Sequence, residues 1–430
     1  MLQTAFIRDN RDLTIAGLQK RGFPEAAQAV DRVLALDKKR RELQQELDDV
    51  LAASNAKAKE IGGLMKAGKK AEAEAAKAET AELKEKSKSL DEQHKVVEQE
   101  LHEEMVKLPN LPHESVPEGR NADDNITILE VGAKPVLPEG ALPHWELIKK
   151  LGQAQAPMID FELGNKITGA GFPVYKGKAA RLQRAMIAFF LDEAAKAGYT
   201  EVQPPILVNE DSGFGTGQLP DKEGQMYHAT ADDLYLVPTA EVPLTNLFRD
   251  VLLTEAELPI KMTAHTPCFR REAGSWGAHV RGLNRLHQFD KVEIVQISKP
   301  EDSYAALDGM VTHVQSLLEK LELPYRILRL CAGDMGFTSA ITLDFEVWSA
   351  GQERWLECSS VSNFETYQAA RLKLRYKNAD KKTHPLHTLN GSALALPRIL
   401  AAMLENNQQA DGTVKIPAVL VPYCGFDVIA

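Results

Sequence analysis

The sequence predicts an α+β protein, in which a long N-terminal pair of helices precedes a body that contains an antiparallel strand hairpin. From Glu25 to Leu108 there is no proline and no aromatic residue. Ala, Glu, Lys, Leu and Gln dominate this stretch, and all five favour helix. Between Thr266 and Ile297, two segments flank a glycine-containing loop, as in a strand–loop–strand hairpin. At 430 residues, the chain is long enough for more than one domain.

Composition narrows the class of protein. No apolar run is long enough to span a bilayer, and the N-terminus has early charges and no signal-peptide core. We therefore expect a cytoplasmic protein without membrane contact. The four cysteines are far apart and form no C-x-x-C pair, so we expect neither a disulfide framework nor a zinc site. They are Cys268, Cys331, Cys358 and Cys424.

The net charge of −10 argues at first against a nucleic-acid partner. The charge is unevenly distributed, however: residues 1–110 hold 20 basic and 21 acidic side chains, and residues 57–88 hold nine lysines against six glutamates. Phosphate contacts are local and are screened beyond about 10 Å. An acidic protein can therefore still bind RNA through a basic strip.

The N-terminal stretch has the periodicity of two helices folded back on each other. Leucines and valines recur at helical and seven-residue spacing on both sides of a break that contains Gly62, Gly63 and Gly68, which predicts an antiparallel coiled coil. Each helix of about 40 residues would be about 60 Å long. The apolar positions are Val33, Leu36, Leu43, Leu47, Val50, Leu83, Leu90, Val97, Leu101 and Leu108.

A proline-rich segment separates the N-terminal helices from the rest of the chain. Pro109-Asn110-Leu111-Pro112 ends the second helix. We predict an N-terminal domain over residues 1–112 with its helical arm at 25–108, a linker over 113–140, and a body over 141–430.

The hairpin carries charges that a covered sheet face tolerates only with a partner. The first strand is predicted to end in Phe269-Arg270-Arg271-Glu272 and the second to run from His287 to Ile297. Alternation places Phe289, Lys291 and Glu293 on one face. A ligand with phosphates, an aromatic base and an ammonium group would satisfy this face.

The order F-R-x-E-A-G-S-x-G, then R-G-L, then R-x-H-Q-F-D-K-V-E resembles motif 2 of the class II aminoacyl-tRNA synthetases, and is similar to the bacterial-type seryl-tRNA synthetases. The resemblance covers the whole chain. It implies the class II antiparallel sheet flanked by helices, with a coiled-coil arm that binds tRNA. It also implies that ATP activates L-serine as seryl-adenylate, and that serine is then transferred to tRNA(Ser), with tRNA(Sec) as an expected second substrate.

Two further stretches fit the same family. Residues 178–208, a helix followed by a strand through Pro204-Pro205, resemble motif 1, which implies a homodimer. Thr388–Arg398 resembles motif 3, and Pro397 suits the first turn of a helix. Gly391, Ala393 and Ala395 are predicted to share the strand face against which the nucleotide lies.

The resemblance also assigns residue roles. For serine it implies Thr239, Ala240, Glu241, Arg270, Glu293, Asn390 and Ser392. For ATP it implies Arg270, Arg271, Glu272, Phe289, Glu357, Cys358, Ser359, Ser360 and Arg398, with Arg270 and Arg398 as the catalytic pair. Glu357 and Ser360 would hold Mg²⁺, a hard cation that prefers oxygen ligands. No general base is required, because the serine carboxylate is already ionised at neutral pH.

The chain departs from the family in the motif 2 loop. Ala278-His279-Val280 stands where the family often has Arg-Asp-Thr, which puts contacts to the tRNA acceptor end in doubt. Arg271 stands where a small residue is more usual, and by hypothesis replaces some of that charge.

Other interpretations of the same residues remain open. Periodicity alone favours a dimerisation rod or a solvated spacer for the arm, and it is the family resemblance that favours tRNA binding. Thr239 and Glu241 also suit a helix start, and the serine-rich segment at 357–362 suits an edge strand. Rival proteins are an RNA-binding protein with an inactive synthetase body, a carrier-protein aminoacyl ligase, and the threonine or proline enzymes. An inactive synthetase body is disfavoured because the chain retains Arg270, Glu293, Glu357 and Arg398. The long arm argues against a carrier-protein ligase. The absence of added zinc or editing segments argues against the threonine and proline enzymes.

Overall fold

A computed structural model describes residues 1–151, 157–221, 223–272 and 281–430. The predicted loop with Gly274, Trp276 and Gly277, and the departure at 278–280, lie outside the described residues. The chain forms two compact units, Met1–Leu111 and Pro112–Ala430. Each is described separately below.

The first unit contains helices and connecting segments, with no strand among its residues. Its helices are α1 (Thr4–Asp9), α2 (Arg11–Lys20), α3 (Ala26–Lys66) and α4 (Lys70–Lys107). Residues 1–24, which precede the predicted arm, contain two helices. Gly62 and Gly63 lie inside α3, and the chain reverses only at Ala67–Lys69, where Gly68 has a φ of +77°.

The two long helices of this unit are antiparallel, as predicted. Arg32 near the start of α3 pairs with Glu104 near the end of α4 (3.4 Å), and Lys57 pairs with Glu79 (2.8 Å). Between these pairs the apolar seam is closed by side chains at the predicted positions. They are Leu43, Leu47, Val50, Leu90 and Val97.

The second unit combines helices and strands. Its helices are α5 (His144–Lys150), α6 (Phe161–Ile167), α7 (Gly177–Lys196), α8 (Glu210–Thr216), α9 (Glu241–Asn246), α10 (Ser303–Lys320), α11 (Thr366–Arg371), α12 (Leu396–Asn406) and α13 (Val421–Cys424). Its strands are β1 (Ile126–Val131), β2 (Ile159–Asp160), β3 (Val174–Tyr175), β4 (Thr200–Glu201), β5 (Leu207–Val208), β6 (His228–Ala229), β7 (Leu234–Leu236), β8 (Leu252–Thr254), β9 (Ile260–Phe269), β10 (Gln288–Ser298), β11 (Tyr325–Arg329), β12 (Ile341–Ser349), β13 (Arg354–Asn363), β14 (Arg375–Lys377), β15 (Thr383–Pro385), β16 (His387–Ala395), β17 (Val414–Lys415) and β18 (Val428–Ile429).

Eight of these strands form the main sheet, in the order β1-β11-β12-β13-β16-β10-β9-β4. Every neighbouring pair is antiparallel except β4 with β9. The sheet confirms the predicted fold class. The hairpin strands β9 and β10 are adjacent, but β9 ends at Phe269, so that residues 270–272 follow the strand instead of ending it.

Two boundary predictions need correction. The predicted linker at 113–140 contains β1, which pairs with β11 and forms one edge of the main sheet. The predicted strand at 200–208 is divided: Thr200–Glu201 joins the main sheet, and Leu207–Val208 belongs to a separate three-stranded sheet. Pro204 and Pro205 lie between them, and proline cannot donate a ladder hydrogen bond.

Helices α7, α10 and α12 pack on one face of the main sheet. Side chains on this face form the main apolar core, with Val292, Ile294 and Val361 all buried. Because strand side chains alternate, their neighbours on the same strands lie on the opposite face, which carries the polar residues described next. Among the described residues, none of the helices combines the length and apolar character needed to span a bilayer.

Candidate active site

One cavity of about 560 Å³ lies on the sheet face opposite the helices. The ends and inner faces of β9, β10, β13 and β16 supply its walls. Thirteen of the residues predicted for the site line it: Thr239, Glu241, Arg270, Glu272, Phe289, Glu293, Glu357, Cys358, Ser359, Ser360, Asn390, Ser392 and Arg398.

Two predicted residues do not line this cavity. Ala240 is fully buried at the N-terminus of α9. The Arg271 guanidinium instead lies over the Tyr227 ring, with 5.5 Å from its Cζ to the ring centroid. Neither side chain forms part of the cavity wall.

The centre of the cavity is a buried, charged strand surface. Phe289, Lys291 and Glu293 alternate along β10 and all line the cavity, as the strand period predicts. Lys291 Nζ lies 2.5 Å from Glu293 Oε2, and both side chains are less than a tenth exposed. Glu293 pairs in register with Ser392 of β16, whose hydroxyl donates to Glu293 Oε2 (3.5 Å). The Glu293 carboxylate is thus fixed by a cation and a hydroxyl.

Glu241 is a second buried carboxylate at this end of the cavity. It begins α9, and Thr239 Oγ1 accepts the Glu241 N–H (3.3 Å), so the predicted helix start and the cavity position coincide. Gln368 Nε2 donates to Glu241 Oε1 (2.6 Å). Burial raises the pKa of Glu241 to about 7, because the Gln368 hydrogen bond only partly opposes desolvation and the charge of Glu293 adds to it. This carboxyl group is therefore poised to change charge near neutral pH.

An arginine and an aromatic ring form the next part of the cavity. Arg270 Cζ lies 5.4 Å from the Phe289 ring centroid, a cation–π distance. Arg270 Nε donates to the Pro238 carbonyl (3.4 Å). Beyond them, Arg285 Nε donates to a Glu272 carboxylate oxygen. A planar base and an anion can thus be bound side by side.

Arg398 follows β16 at the start of α12. Pro397 occupies the first turn of α12, as predicted. Arg398 Nε donates to the Asn284 carbonyl (3.0 Å), and Nη1 donates to the Glu357 carbonyl (2.7 Å) and lies 3.4 Å from Glu357 Oε2. These contacts hold the guanidinium at a helix N-terminus, where the backbone itself favours an anion.

The oxygen atoms suited to a hard cation lie on β13 and β12. Glu357 and Ser360 both line the cavity, and Asp344 of β12 is in register with Ser360. Asp344 Oδ1 is buried and has no hydrogen-bond partner among the described residues. Burial, together with the charge of Glu357, raises the pKa of Asp344. These donors fit Mg²⁺ shared with a phosphate ligand, although the described residues contain no group of three His, Cys, Asp or Glu placed for a metal ion.

The prediction for the small residues of β16 was wrong in its choice of face. Ala393 is buried in the apolar core, and a Cβ on Gly391 would meet Val361 and Met310 of that core. Asn390 and Ser392 line the cavity instead. The register shifts by one residue before Ala395, which pairs with Lys291 and returns to the cavity face. Simple alternation holds for residues 390–393 and fails at Ala395, and the sequence did not show which set of residues faced the ligand.

Several residues of the site were not assigned from the sequence. Lys291 shares the strand face of Glu293, and that alternation was a usable signal. Gln368, Asn284 and Arg285 reach the site only through tertiary contacts. Asp344 depends on the β12–β13 register, which includes a bulge between Phe345 and Glu346.

Two family profiles match the chain. The tRNA synthetase class II core domain (G, H, P, S and T) matches residues 226–407, and the Seryl-tRNA synthetase N-terminal domain matches residues 1–112. The first contains nearly all of the cavity residues. The second contains the helical unit.

Individual proteins agree with these profiles over the full length. The chain is 50% identical to the Serine–tRNA ligase of Salinibacter ruber over 92% of each chain, and 46% identical to that of Chlorobaculum parvum over the whole of both. Its structure is similar to the crystal structure of seryl-tRNA synthetase from Pyrococcus horikoshii complexed with ATP. The TM-score is 0.92 at 33% identity, covering 100% of this chain and 99% of the other.

Proposed function

The chain belongs to the seryl-tRNA synthetase family of class II aminoacyl-tRNA synthetases, and we propose that its cavity binds L-serine and ATP side by side for serine activation. The chain is thus a serine–tRNA ligase. The observation that carries the assignment to this cavity is the grouping of Arg270, Phe289, Glu293 and Arg398 around one space of about 560 Å³.

The serine-binding end contains the paired acids. Glu241 and Glu293 accept from the serine ammonium and hydroxyl, and a carboxylate beside an ammonium is a charge-assisted pair. Ser392 and Asn390 complete the polar wall around the small hydroxyl, with Thr239 at the edge. A site built to hydrogen-bond a hydroxyl rejects an analogue without one, such as alanine, by roughly 10⁴-fold.

The ATP-binding end contains the ring and the arginines. Adenine stacks on Phe289, and Glu272 accepts from its amino group while Arg285 orients that carboxylate. Cys358 and Ser359 form the neighbouring wall of the same cavity. The buried Ser359 hydroxyl donates to the Ser392 carbonyl (2.5 Å), which joins β13 to β16 beneath the ligands.

Activation needs no proton transfer by the protein. A serine carboxylate oxygen attacks the α-phosphorus of ATP, the bond to the β-phosphate breaks, and pyrophosphate leaves. Arg270 contacts both the serine carboxylate and the α-phosphate, and Arg398 stabilises the departing charge. Catalysis is then positioning and electrostatic stabilisation, as in other phosphoryl transfer.

Magnesium would be held with ATP by Glu357 and Ser360. When bound, it would neutralise part of the phosphate charge. The fit rests on the oxygen-only donors of β13 and on the unpartnered Asp344 Oδ1 behind Ser360.

In the second step, a ribose hydroxyl at the 3′ end of tRNA attacks the seryl carbonyl carbon and AMP leaves. We assign tRNA(Ser) selection to the helical arm, and include tRNA(Sec) as a second substrate. On the arm, eight of the nine lysines between residues 57 and 88 are exposed, and six of the nine have no ion-pair partner among the described residues. They are Lys59, Lys66, Lys70, Lys84, Lys86 and Lys88. Flexible cations of this kind suit the RNA backbone.

We further propose that the protein acts as a cytoplasmic homodimer. In the main sheet, β4 is an edge strand with β9 as its neighbour, and an exposed edge is readily paired or covered by another chain. All four cysteines are free thiols, which fits a reducing compartment.

The function is tested by ATP–pyrophosphate exchange with each of the twenty amino acids, followed by charging of unfractionated tRNA. We expect exchange with serine alone and charging of serine-accepting tRNA. Exchange driven by threonine or proline with no response to serine would overturn the assignment.

A further inference from the structure

A short turn segment, Arg281–Leu286, forms one wall of the cavity without belonging to a helix or strand. Its residues Leu283 to Leu286 line the cavity. The segment holds two side chains of the ATP-binding end: the Asn284 carbonyl accepts from Arg398 (3.0 Å), and Arg285 donates to Glu272. Because no backbone ladder fixes this turn, other contacts must set its position.

His144 supplies such a contact from the start of α5. Its Nε2 accepts the Leu283 N–H at 2.8 Å, and its Nδ1 lies 2.7 Å from Glu405 Oε1. Since Nε2 accepts, the ring proton is on Nδ1, which donates to Glu405. Both His144 and Glu405 are fully buried, so neither contact can be exchanged for one to solvent.

Glu405 is itself held by several donors. Oε1 accepts the His144 backbone N–H (2.9 Å) and Gln352 Nε2 (3.0 Å). Oε2 accepts the Ser349 hydroxyl and the Gly351 N–H (3.2 Å). Burial acts to raise the pKa of Glu405, but the hydrogen bonds, that from His144 foremost, leave the pKa below its ordinary value. The acceptor of the His144 proton is therefore ionised at neutral pH.

Helix α12 thus holds the turn segment at two points. Arg398, at its N-terminal end, contacts the Asn284 carbonyl directly. Glu405, at its C-terminal end, acts on the neighbouring Leu283 N–H through His144. A single helix thereby fixes the peptide group that precedes Leu283 and the one that follows Asn284.

A glycine in the segment allows its backbone to approach the His144 ring closely. Gly282 has a φ of +69°, and a Cβ there would lie 2.2 Å from His144 Nε2. Only glycine permits both the left-handed backbone and this distance. On the outer side of α5, Arg281 pairs with Glu146 (2.8 Å) and lies over the Trp145 ring.

We propose that His144 is a positioning residue for the ATP-binding end of the cavity, acting through the Leu283 N–H. The proposal rests on the function assigned above. A residue that only stabilises the fold would affect the whole cavity. Loss of the His144 side chain instead shifts Asn284 and Arg285, and through them Arg398 and Glu272. The serine-binding acids remain in place.

Three variants test this. In His144→Asn the side-chain amide reaches the Nδ1 position, which keeps a donor for Glu405 but removes the acceptor for Leu283. His144→Gln reaches the Nε2 position and can restore that acceptor. Ser349→Ala is the matched control, because it removes a donor to the same carboxylate and reaches 281–286 indirectly, through Gln352, which donates to the Ser349 hydroxyl (2.9 Å) and accepts from Asn284 Nδ2 (2.8 Å).

In ATP–pyrophosphate exchange we expect His144→Asn to raise the KM for ATP roughly tenfold, since a buried N–H loses its acceptor, and to leave the KM for serine within about twofold. His144→Gln should recover part of the loss. Ser349→Ala should lower thermal stability and leave both KM values unchanged. If the two KM values rise together, or if Ser349→Ala reproduces the effect, His144 is merely structural and the proposal fails.

A second measurement is independent of activity. Amide hydrogen exchange of the peptide covering 281–289 should be faster in ligand-free His144→Asn than in wild type or Ser349→Ala. Gly282→Ala, whose Cβ would clash with His144 Nε2 and so break the same contact from the side of the segment, should show the same increase. Unchanged exchange in both variants would overturn the positioning role, whereas a wild-type protein inactive with serine would overturn the proposed function and leave this result interpretable.

Discussion

The two units of this chain place their charged side chains in opposite environments. On the arm, ion pairs such as Lys95–Asp91 lie on the surface, with 70% and 47% of each side chain exposed. In the catalytic unit, Lys291 and Glu293 form a pair at 7% and 2% exposure. The surface pair on the arm is open to solvent, whereas the pair in the cavity of the second unit is removed from it.

This difference indicates where ligand specificity resides. An exposed pair contributes at most about 1 kcal/mol and is screened by salt. A buried pair is costly unless each charge has its partners, so a buried acid that faces a cavity marks a place where a ligand completes the set. The serine-binding end should therefore be intolerant of single changes, and the arm should respond gradually.

The largest effect is expected for Glu293→Ala, which removes the serine partner and leaves Lys291 buried without its anion. Serine-dependent pyrophosphate exchange should fall by at least about 10²-fold. Glu162→Ala, at an exposed position in the first turn of α6, is the control. Near-normal exchange in folded Glu293→Ala protein would remove Glu293 from the site.

A moderate effect is expected for the triple change Lys84→Ala, Lys86→Ala and Lys88→Ala on α4. The KM for tRNA should rise about tenfold, and the salt dependence of charging should become shallower, because fewer phosphates are neutralised. Pyrophosphate exchange should not change. The same substitutions at Lys38, Lys39 and Lys95, outside the 57–88 strip, provide the matched control; equal losses in both triples would argue against a localised RNA surface.

A smaller effect is expected from pH. The pKa of Glu241 is raised to about 7 in the folded protein. The contribution of the protonated Glu241 to folding stability is therefore present at pH values below its ordinary pKa, and it is lost as the pH rises through about 7. The serine ammonium favours the ionised form. Serine affinity should therefore increase between pH 6 and pH 8, by at most about tenfold per unit below pH 7. Calorimetry in two buffers should detect release of the proton, and Glu241→Gln should abolish that release.

The smallest effect on activity concerns an exception within the arm. Asp37 is 1% exposed and accepts from Arg8, Arg40 and Arg41 at 3.0–3.1 Å. Asp37→Asn should lower the opening free energy of α3 by about 1.5–3 kcal/mol, against about 0.5 kcal/mol or less for the surface change Asp91→Asn. Amide hydrogen exchange measures both. Equal values would show that burial does not distinguish the two carboxylates.

The arm was predictable because its periodicity is local. Residues such as Leu43 and Leu90 repeat at coiled-coil spacing, and no distant contact is needed to interpret them. The internal glycines were misleading, because a long helix tolerates Gly62 and Gly63 at a cost of about 1 kcal/mol each. In the catalytic unit, alternation identified the cavity face of β10 at Phe289 and Glu293.

The features of the site that could not be predicted from the sequence depend on strand register and on tertiary contacts. Asn390 and Ser392 face the cavity because β16 pairs with β10 in one register, and a shift of one residue would have turned Gly391 and Ala393 there instead. Gln368 reaches Glu241 from a helix 127 positions away along the chain. His144 likewise meets Leu283 across 139 positions.

The edge strand β1 has a practical consequence for dissecting the protein. Its backbone pairs with all of β11, from Tyr325 to Arg329. A chain shortened to begin near residue 141 would lack β1. The β11 backbone would then be free to pair with strands of other molecules. A shortened chain meant to stay in solution should instead start at Pro112, where the second unit begins.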